Sequence, residues 1–297
     1  MLADQISYVA LVSNDPAATA GVFEKHFGLP RHELPSAQGT VPVFPLGRSA
    51  LAVFAQGHPL VDGEAKPGVH HIALGVNQVD SSEIGLAGKR IRRLDRADTA
   101  GVRVVLTEKL GLQPNFTGPV PRIDHIGVAS TDLREDEAVF CGKLGFPVES
   151  RQTDMEVSMA VESFTSDKYG VVYHNRAPEL VGGLRVTFIT LGDCELEFLA
   201  NVDPRQGGAV EHGRSGSTRQ DQGAIARFVA SRGRGLHHVA VKADDIDALL
   251  QSMAKAGLPM IDTRGRPGSR RALIGFPHPK ALGGVLMHIV QRDLLHP

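Results

Sequence analysis

Arg234-Gly-Leu-His-His-Val-Ala-Val-Lys242, running on into Ala243-Asp-Asp-Ile-Asp-Ala-Leu-Leu250, reads as a glycine turn, a short strand opening on a histidine pair, an acid-capped loop and a helix. Ile123-Asp-His-Ile-Gly-Val-Ala-Ser-Thr-Asp132 has the same layout, and so does Gly68-Val-His-His-Ile-Ala-Leu-Gly-Val76. A fainter copy, Ile6-Ser-Tyr-Val-Ala-Leu-Val-Ser-Asn-Asp15, opens the chain. Four copies of one start signal predict a repeated unit.

Working outward, residues 6–12 read as a strand, Pro16 as a helix start, 17–27 as a helix ending at Gly28, and 42–46 and 49–54 as two short strands. That is one βαβββ-like unit. The unit opening at 69 is shortened, with 102–106 as its late strand. Gly118-Pro-Val-Pro-Arg122 precedes the third copy and predicts a boundary, giving halves 1–117 and 118–297. The third unit has strands at 123–129, 184–191 and 195–199. Polar, Gly-rich 203–223 then reads as a mobile loop, and 224–231 as a short helix. The fourth has a strand at 236–242, a helix at 246–256, and strands near 271–276 and 284–290. The predicted fold class is α+β.

Composition excludes several functions. A formal charge of −1 and 5% aromatic residues with no Trp give no footprint for nucleic acid. No apolar run approaches the ~20 residues that span a bilayer, and Met1 to Gln5 lacks the features of an export signal. Cys141 and Cys194 are the only cysteines, which fits a reducing compartment, so a cytoplasmic protein is expected.

Alternate side chains of a strand share a face. His125 and His238 hold the same position in their units, so pairing of the two units brings them to one cavity. Cys194-Glu-Leu-Glu-Phe-Leu199 places Glu197 inward, and Gly284-Val-Leu-Met-His-Ile-Val290 places His288 inward. Ionisable groups buried in apolar strands are costly unless compensated. Three imidazoles and one carboxylate suit one divalent metal ion, with Fe, Zn, Co, Ni and Mn all open. The same alternation turns His70, His237 and Glu195 away from the cavity. In the N-terminal half the register puts Tyr8, Ala52, His71 and, on a poor alignment, Glu108 at the equivalent positions, a set that disfavours a metal there.

With these motifs the chain resembles the vicinal oxygen chelate superfamily, which includes glyoxalase I, extradiol dioxygenases and bleomycin-resistance proteins. The C-terminal half most resembles methylmalonyl-CoA epimerase, through Asp124-His-Ile-Gly127, Ala224-Ile-Ala-Arg-Phe-Val229, Gly235-Leu-His-His-Val-Ala240, Asp244-Asp-Ile-Asp247 and His278-Pro-Lys-Ala-Leu-Gly-Gly-Val-Leu286. The resemblance implies two tandem glyoxalase-like domains, each a curved mixed-sheet cup of paired βαβββ modules. Residues 1–117 would be degenerate and metal-free, and 118–297 would bind the metal through His125, Glu197, His238 and His288. It also implies Glu at the fourth ligand position, where this chain has His288, and a basic carboxylate near Val186, where it has none. Strict epimerase activity is therefore disfavoured.

Three functions follow as expectations. The first is an isomerase, epimerase or lyase acting on a small carbonyl, 2-oxo or acyl compound through a metal-stabilised enediolate, with His288 or Glu197 moving the proton. The second is a non-haem Fe(II) dioxygenase of the extradiol or 4-hydroxyphenylpyruvate type, and the third a small-molecule sequestration protein. Tyr173, His174 and Arg185 are the candidate substrate-binding residues, and Arg264-Gly-Arg-Pro-Gly-Ser-Arg-Arg271 is a basic loop beside the fourth unit. The partner is a small molecule. A homodimer is allowed but not required, because one chain holds enough modules to complete a cup.

Overall fold

The computed structural model describes residues 2–61, 65–158, 161–175, 179–201, 223–268, 270 and 272–292. Of the expected loop 203–223, all but Gly223 lies outside them, as does Arg271.

The first sheet is built from β1 (Ile6–Ser13), β2 (His32–Ser36), β3 (Gly39–Leu46), β4 (Ser49–Ala55), β5 (Gly68–Val76), β6 (Ile91–Arg93) and β7 (Val104–Glu108), in the order β2-β3-β4-β1-β5-β7-β6. The second uses β8 (Ile123–Ala129), β9 (Val148–Ser158), β12 (Glu179–Leu191), β13 (Cys194–Asn201), β14 (Gly235–Lys242), β15 (Arg266–Pro267), β16 (Leu273–Gly275) and β17 (Met287–Gln291). Its order, β9-β12-β13-β8-β14-β17-β16-β15, repeats the first with one extra edge strand. A two-stranded ribbon, β10 (Val161–Ser166) with β11 (Gly170–Asn175), pairs with neither sheet. In both sheets the central strands run antiparallel (β1 with β5, β8 with β14), and each has a parallel neighbour on its other side. The result is two curled mixed sheets with few helices, the α+β architecture that the repeat predicts.

The start signals act as helix caps. Asp15, Asp132 and Asp245 each accept a hydrogen bond from a backbone N–H in the first turn of α1 (Pro16–Lys25), α2 (Leu133–Glu137) and α4 (Ile246–Lys255). The second unit lacks such a helix and has two short helical turns instead, Leu86–Gly88 and Arg96–Thr99, which accounts for its length. The ninth strand's partner in the repeat, β2, was hidden because His32-Glu-Leu-Pro-Ser36 is largely exposed and lacks apolar alternation.

One apolar core runs through both halves, from Val9, Phe23 and Ile72 to Ile126, Phe198, Val239 and Met287. Backbone and side-chain bonds lock the sheets together around it: Leu2 N donates to Leu144 O at 2.9 Å and Asn14 N to Gly283 O at 2.8 Å. Arg48 N donates to Asp193 Oδ2 at 2.8 Å. No helix among the described residues is long and apolar enough to cross a membrane.

Candidate metal centre

The concave face of the second sheet holds the four expected residues on four strands: His125 on β8, Glu197 on β13, His238 on β14 and His288 on β17. Register brings them together. Gly127 lies opposite both Glu197 and His238, and Ala240 lies opposite both His125 and His288. Gly127 has a specific reason to be glycine, because a Cβ there would stand 2.0 Å from Cε1 of His238. The imidazole lies where that side chain would be.

Two irregularities between β8 and β14 change what alternation predicts. The pairing skips His237 and, one turn of the ladder away, Asp124. Each is the extra residue of a bulge, which re-aims a side chain toward the face of its neighbour. Asp124 Oδ1 thus reaches Nδ1 of His125 at 2.7 Å, and His237 Nδ1 lies 2.9 Å from His238 Nδ1. His237 therefore lines the cavity instead of turning away. Glu195 is a second correction. It lies two residues before Glu197, hence on the same face, and binds Arg270 Nη2 at 2.7 Å.

With Nδ1 occupied, His125 and His238 present Nε2 inward. His125 Nε2 lies 3.0 Å from His288 Nε2 and 3.4 Å from His238 Nε2. Glu197 Oε2 is 3.2 Å from the first of these nitrogens and 3.5 Å from that of His238. Ligands held about 2.0–2.1 Å from one ion at angles of about 90–109° stand about 2.8–3.4 Å apart, so this donor set fits a divalent cation. The three histidine nitrogens all lie within 4.8 Å of one another, and all three rings are buried. His288 Nδ1 is buried with no hydrogen-bond partner among the described residues, so His288 alone lacks the second bond that fixes a ligand's orientation.

Burial opposes charge on every member, and neighbours decide the outcome. For His125 the Glu197 and Asp124 carboxylates overcome desolvation and push its pKa up to about 10. Glu197 is held well below the usual carboxylate range because His125 and His238 outweigh its burial. Burial lowers His238, and burial plus repulsion from its two imidazole neighbours takes His288 well below its ordinary value. His237 falls to about 3 through burial. These directions favour a protonated His125 facing an ionised Glu197.

These groups open into a cavity of about 450 Å³, otherwise lined mainly by Leu184, Leu199, Ile225, Ile274, Phe276 and Val290. Arg266 and Arg292 also line it. Arg266 comes from the basic loop noted in the sequence, whereas Arg292, just past β17, gave no sequence signal. Of the three residues expected to bind substrate, Tyr173 and Arg185 are not brought to the cavity, and the side chain of His174 lies outside what the structure describes. Tyr173 is 72% exposed on the separate ribbon, and the backbone of His174 pairs there with Glu162. Arg185 is exposed and lies opposite Ala200, in the alternate set of β12 from Val186 and Phe188, whose partners Leu199 and Glu197 face the cavity.

In the N-terminal sheet, β1 and β5 carry the same two bulges, at Ser7 and His70. Register places Tyr8, Ala52, His71 and Val105 at the positions of His125, Glu197, His238 and His288. Val105 corrects the expected Glu108, which lies three residues further on and accepts from Arg90 N. Tyr8 OH lies 3.3 Å from His71 Nε2. Apolar side chains, among them Phe54, Leu60, Val61 and Leu86, pack around them.

A sequence profile of the glyoxalase/bleomycin resistance protein/dioxygenase superfamily matches residues 124–276. The mitochondrial methylmalonyl-CoA epimerase of Mus musculus is 26% identical over 129 residues, covering 43% of this chain and 64% of the relative. The chain thus spans less than two-thirds of that protein's length. The Homo sapiens enzyme is 25% identical over 171 residues, covering 57% of this chain and 73% of the relative. A solved structure of a 4-hydroxymandelate synthase mutant from Streptomyces coelicolor is similar over 99% of this chain and 94% of that one, with a TM-score of 0.59 and 15% identity, a likeness of fold.

Proposed function

The chain belongs to the glyoxalase/bleomycin resistance protein/dioxygenase superfamily, and from that membership we propose that it is a divalent-metal-dependent enzyme moving a proton on a small carbonyl compound, as an isomerase, epimerase or lyase. The observation that carries this reading is the convergence of three imidazole Nε2 atoms and the Glu197 carboxylate in a mainly apolar cavity. The epimerase relatives support proton transfer as the reaction type. We assign the reaction to residues 118–297 and a scaffolding role to residues 1–117.

When bound, the metal supplies Lewis acidity toward a substrate oxygen. His125, His238 and Glu197 would hold it, the two imidazoles being fixed through Asp124 and His237. His288, whose Nδ1 has no partner among the described residues, is the group free to turn and carry the proton. Burial and its imidazole neighbours hold it in the neutral form, whose ring nitrogen is an acceptor. The apolar walls exclude water from the transfer.

A second reading is a non-haem Fe(II) dioxygenase. It is favoured by one observation, that His125, His238 and Glu197 form a two-histidine, one-carboxylate subset. Metal analysis of protein purified without chelator and without air separates the two. Near-stoichiometric Zn, Co, Ni or Mn, with deuterium exchange into 2-oxo or thioester probes that is lost in His288→Gln while metal stays, supports the first. Near-stoichiometric iron with substrate-dependent oxygen consumption supports the second. No metal, and none taken up on reconstitution, overturns both and leaves sequestration.

A further inference from the structure

Arg292 continues the concave row of β17 after His288 and Val290 and lines the cavity. Its side chain is only 16% exposed, and Nη2 binds Asp124 Oδ1 at 2.6 Å. Its Nε is buried with no hydrogen-bond partner among the described residues. A buried donor on a charged group is expensive to leave unmade, and a guanidinium has five donors, of which Asp124 occupies one side. A second guanidinium, Arg266, lines the same cavity over the ring of Phe276, 5.3 Å from its centroid. Among the described lining residues Glu197 is the only acid, and it already meets His125 and His238. Arg266 is paired with Asp262 at 3.3 Å, so the polar demand left in the cavity is that of Arg292, for an anion, while most of the wall is apolar.

The anion's charge is bounded by the neighbours. Arg270 lies over the same Phe188 ring as Arg292, at 3.9 Å and 6.0 Å from its centroid, and brings Glu195 and Glu149 with it. With Asp124 on one side and these carboxylates near, a dianion meets repulsion that a monoanion largely escapes. A planar carboxylate also matches the geometry of a guanidinium edge.

We propose that Arg292 forms a carboxylate-binding subsite at one end of the cavity, so that the substrate is an amphiphile with an apolar body and a single carboxylate. This deepens the reading above and rests on the same cavity being the substrate site, but it does not need the metal.

The test is calorimetric titration of the full-length protein, metal-loaded and chelator-treated, with 3-phenylpropanoate, its amide and 2-phenylethyl phosphate. The wild type should bind the carboxylate at least tenfold more tightly than the amide in both states. Arg292→Met should abolish that preference in the chelator-treated protein, and Arg292→Lys should keep part of it. No preference in chelator-treated wild type, or an unchanged one in Arg292→Met, overturns the subsite. A preference confined to metal-loaded protein also overturns it, while leaving the metal enzyme standing. A preference lost in Arg292→Met, in protein that never takes up metal, upholds the subsite and sinks the metal reading. Tighter binding of the phosphate ester overturns the choice of carboxylate. If Arg292→Met does not fold, the wild-type and Arg292→Lys comparisons decide.

Discussion

Gly127→Ala tests the geometry of the centre without touching any donor. The added Cβ would stand 2.0, 2.3 and 2.6 Å from Cε1, Nδ1 and Nε2 of His238, against the 3.4 Å at which ordinary contact begins. The ring must withdraw by about 1.4 Å, several times the ~0.2 Å that metal–ligand distances tolerate. The backbone cannot yield instead, because β8 is paired on both sides, to β13 and β14. One donor of the set is therefore lost. Metal affinity should fall by at least about 100-fold, the upper range seen when only a ligand's supporting partner is removed. Overpacking should cost about 1–3 kcal/mol of stability. Gly142→Ala is the control, since a Cβ there meets nothing within 4 Å. Equilibrium dialysis against a metal buffer, followed by elemental analysis and thermal unfolding, reads both quantities. A Gly127→Ala protein that is folded and binds metal with wild-type affinity would refute the placement of His238 in the centre.

Three further outcomes are expected. With the His125 pKa raised to about 10, the metal-free site carries a proton at neutral pH that metal must displace. Affinity should then rise about tenfold per pH unit between pH 7 and 9. Titrations in buffers of different ionisation enthalpy count the protons released, and a count of zero contradicts the assignment. Asp124→Asn, which weakens the hold on His125 Nδ1, should lower metal affinity about 10–100-fold with the fold intact, as dialysis would show. His71→Ala should cost about 2–4 kcal/mol in denaturant unfolding by hollowing the N-terminal cup. Its metal content should be unchanged, and loss of metal would move the active site to that half.

The repeat and the four inward positions are legible in the sequence because both depend on period-two alternation, which His125, Glu197, His238 and His288 obey. What alternation cannot show is a residue inserted without a partner. Asp124 and His237 each sit at such an insertion, and each meets the histidine that simple alternation would turn it away from. The sequence signature is only the adjacency itself, Asp-His in one strand and His-His in the other. Arg292 is illegible for a different reason, since it lies beyond a strand end, where curvature of the sheet decides what reaches the cavity; Arg266 is visible only as one member of a basic loop. Tyr173 and Arg185 err the opposite way. Being near the cup in sequence says nothing about which face, or which sheet, a residue occupies.

The N-terminal half separates what the backbone contributes from what the side chains contribute. It has the same strand order, and its central strands bulge at the matching residues, Ser7 and His70. His70 Nδ1 even lies 2.8 Å from His71 Nδ1, much as His237 approaches His238. The bulged sheet is therefore insufficient to make a donor cluster. Tyr8 replaces one imidazole and closes a hydrogen bond on His71, while Ala52 and Val105 offer no donor, so the polar group is satisfied internally. Leu60, Val61 and Leu86 then pack into the cup. In the C-terminal sheet the corresponding volume stays open, because four converging ionisable groups cannot be covered by apolar side chains without an uncompensated desolvation cost. The cavity and the donor cluster are thus one feature: the side chains that call for a cation also keep the apolar residues out.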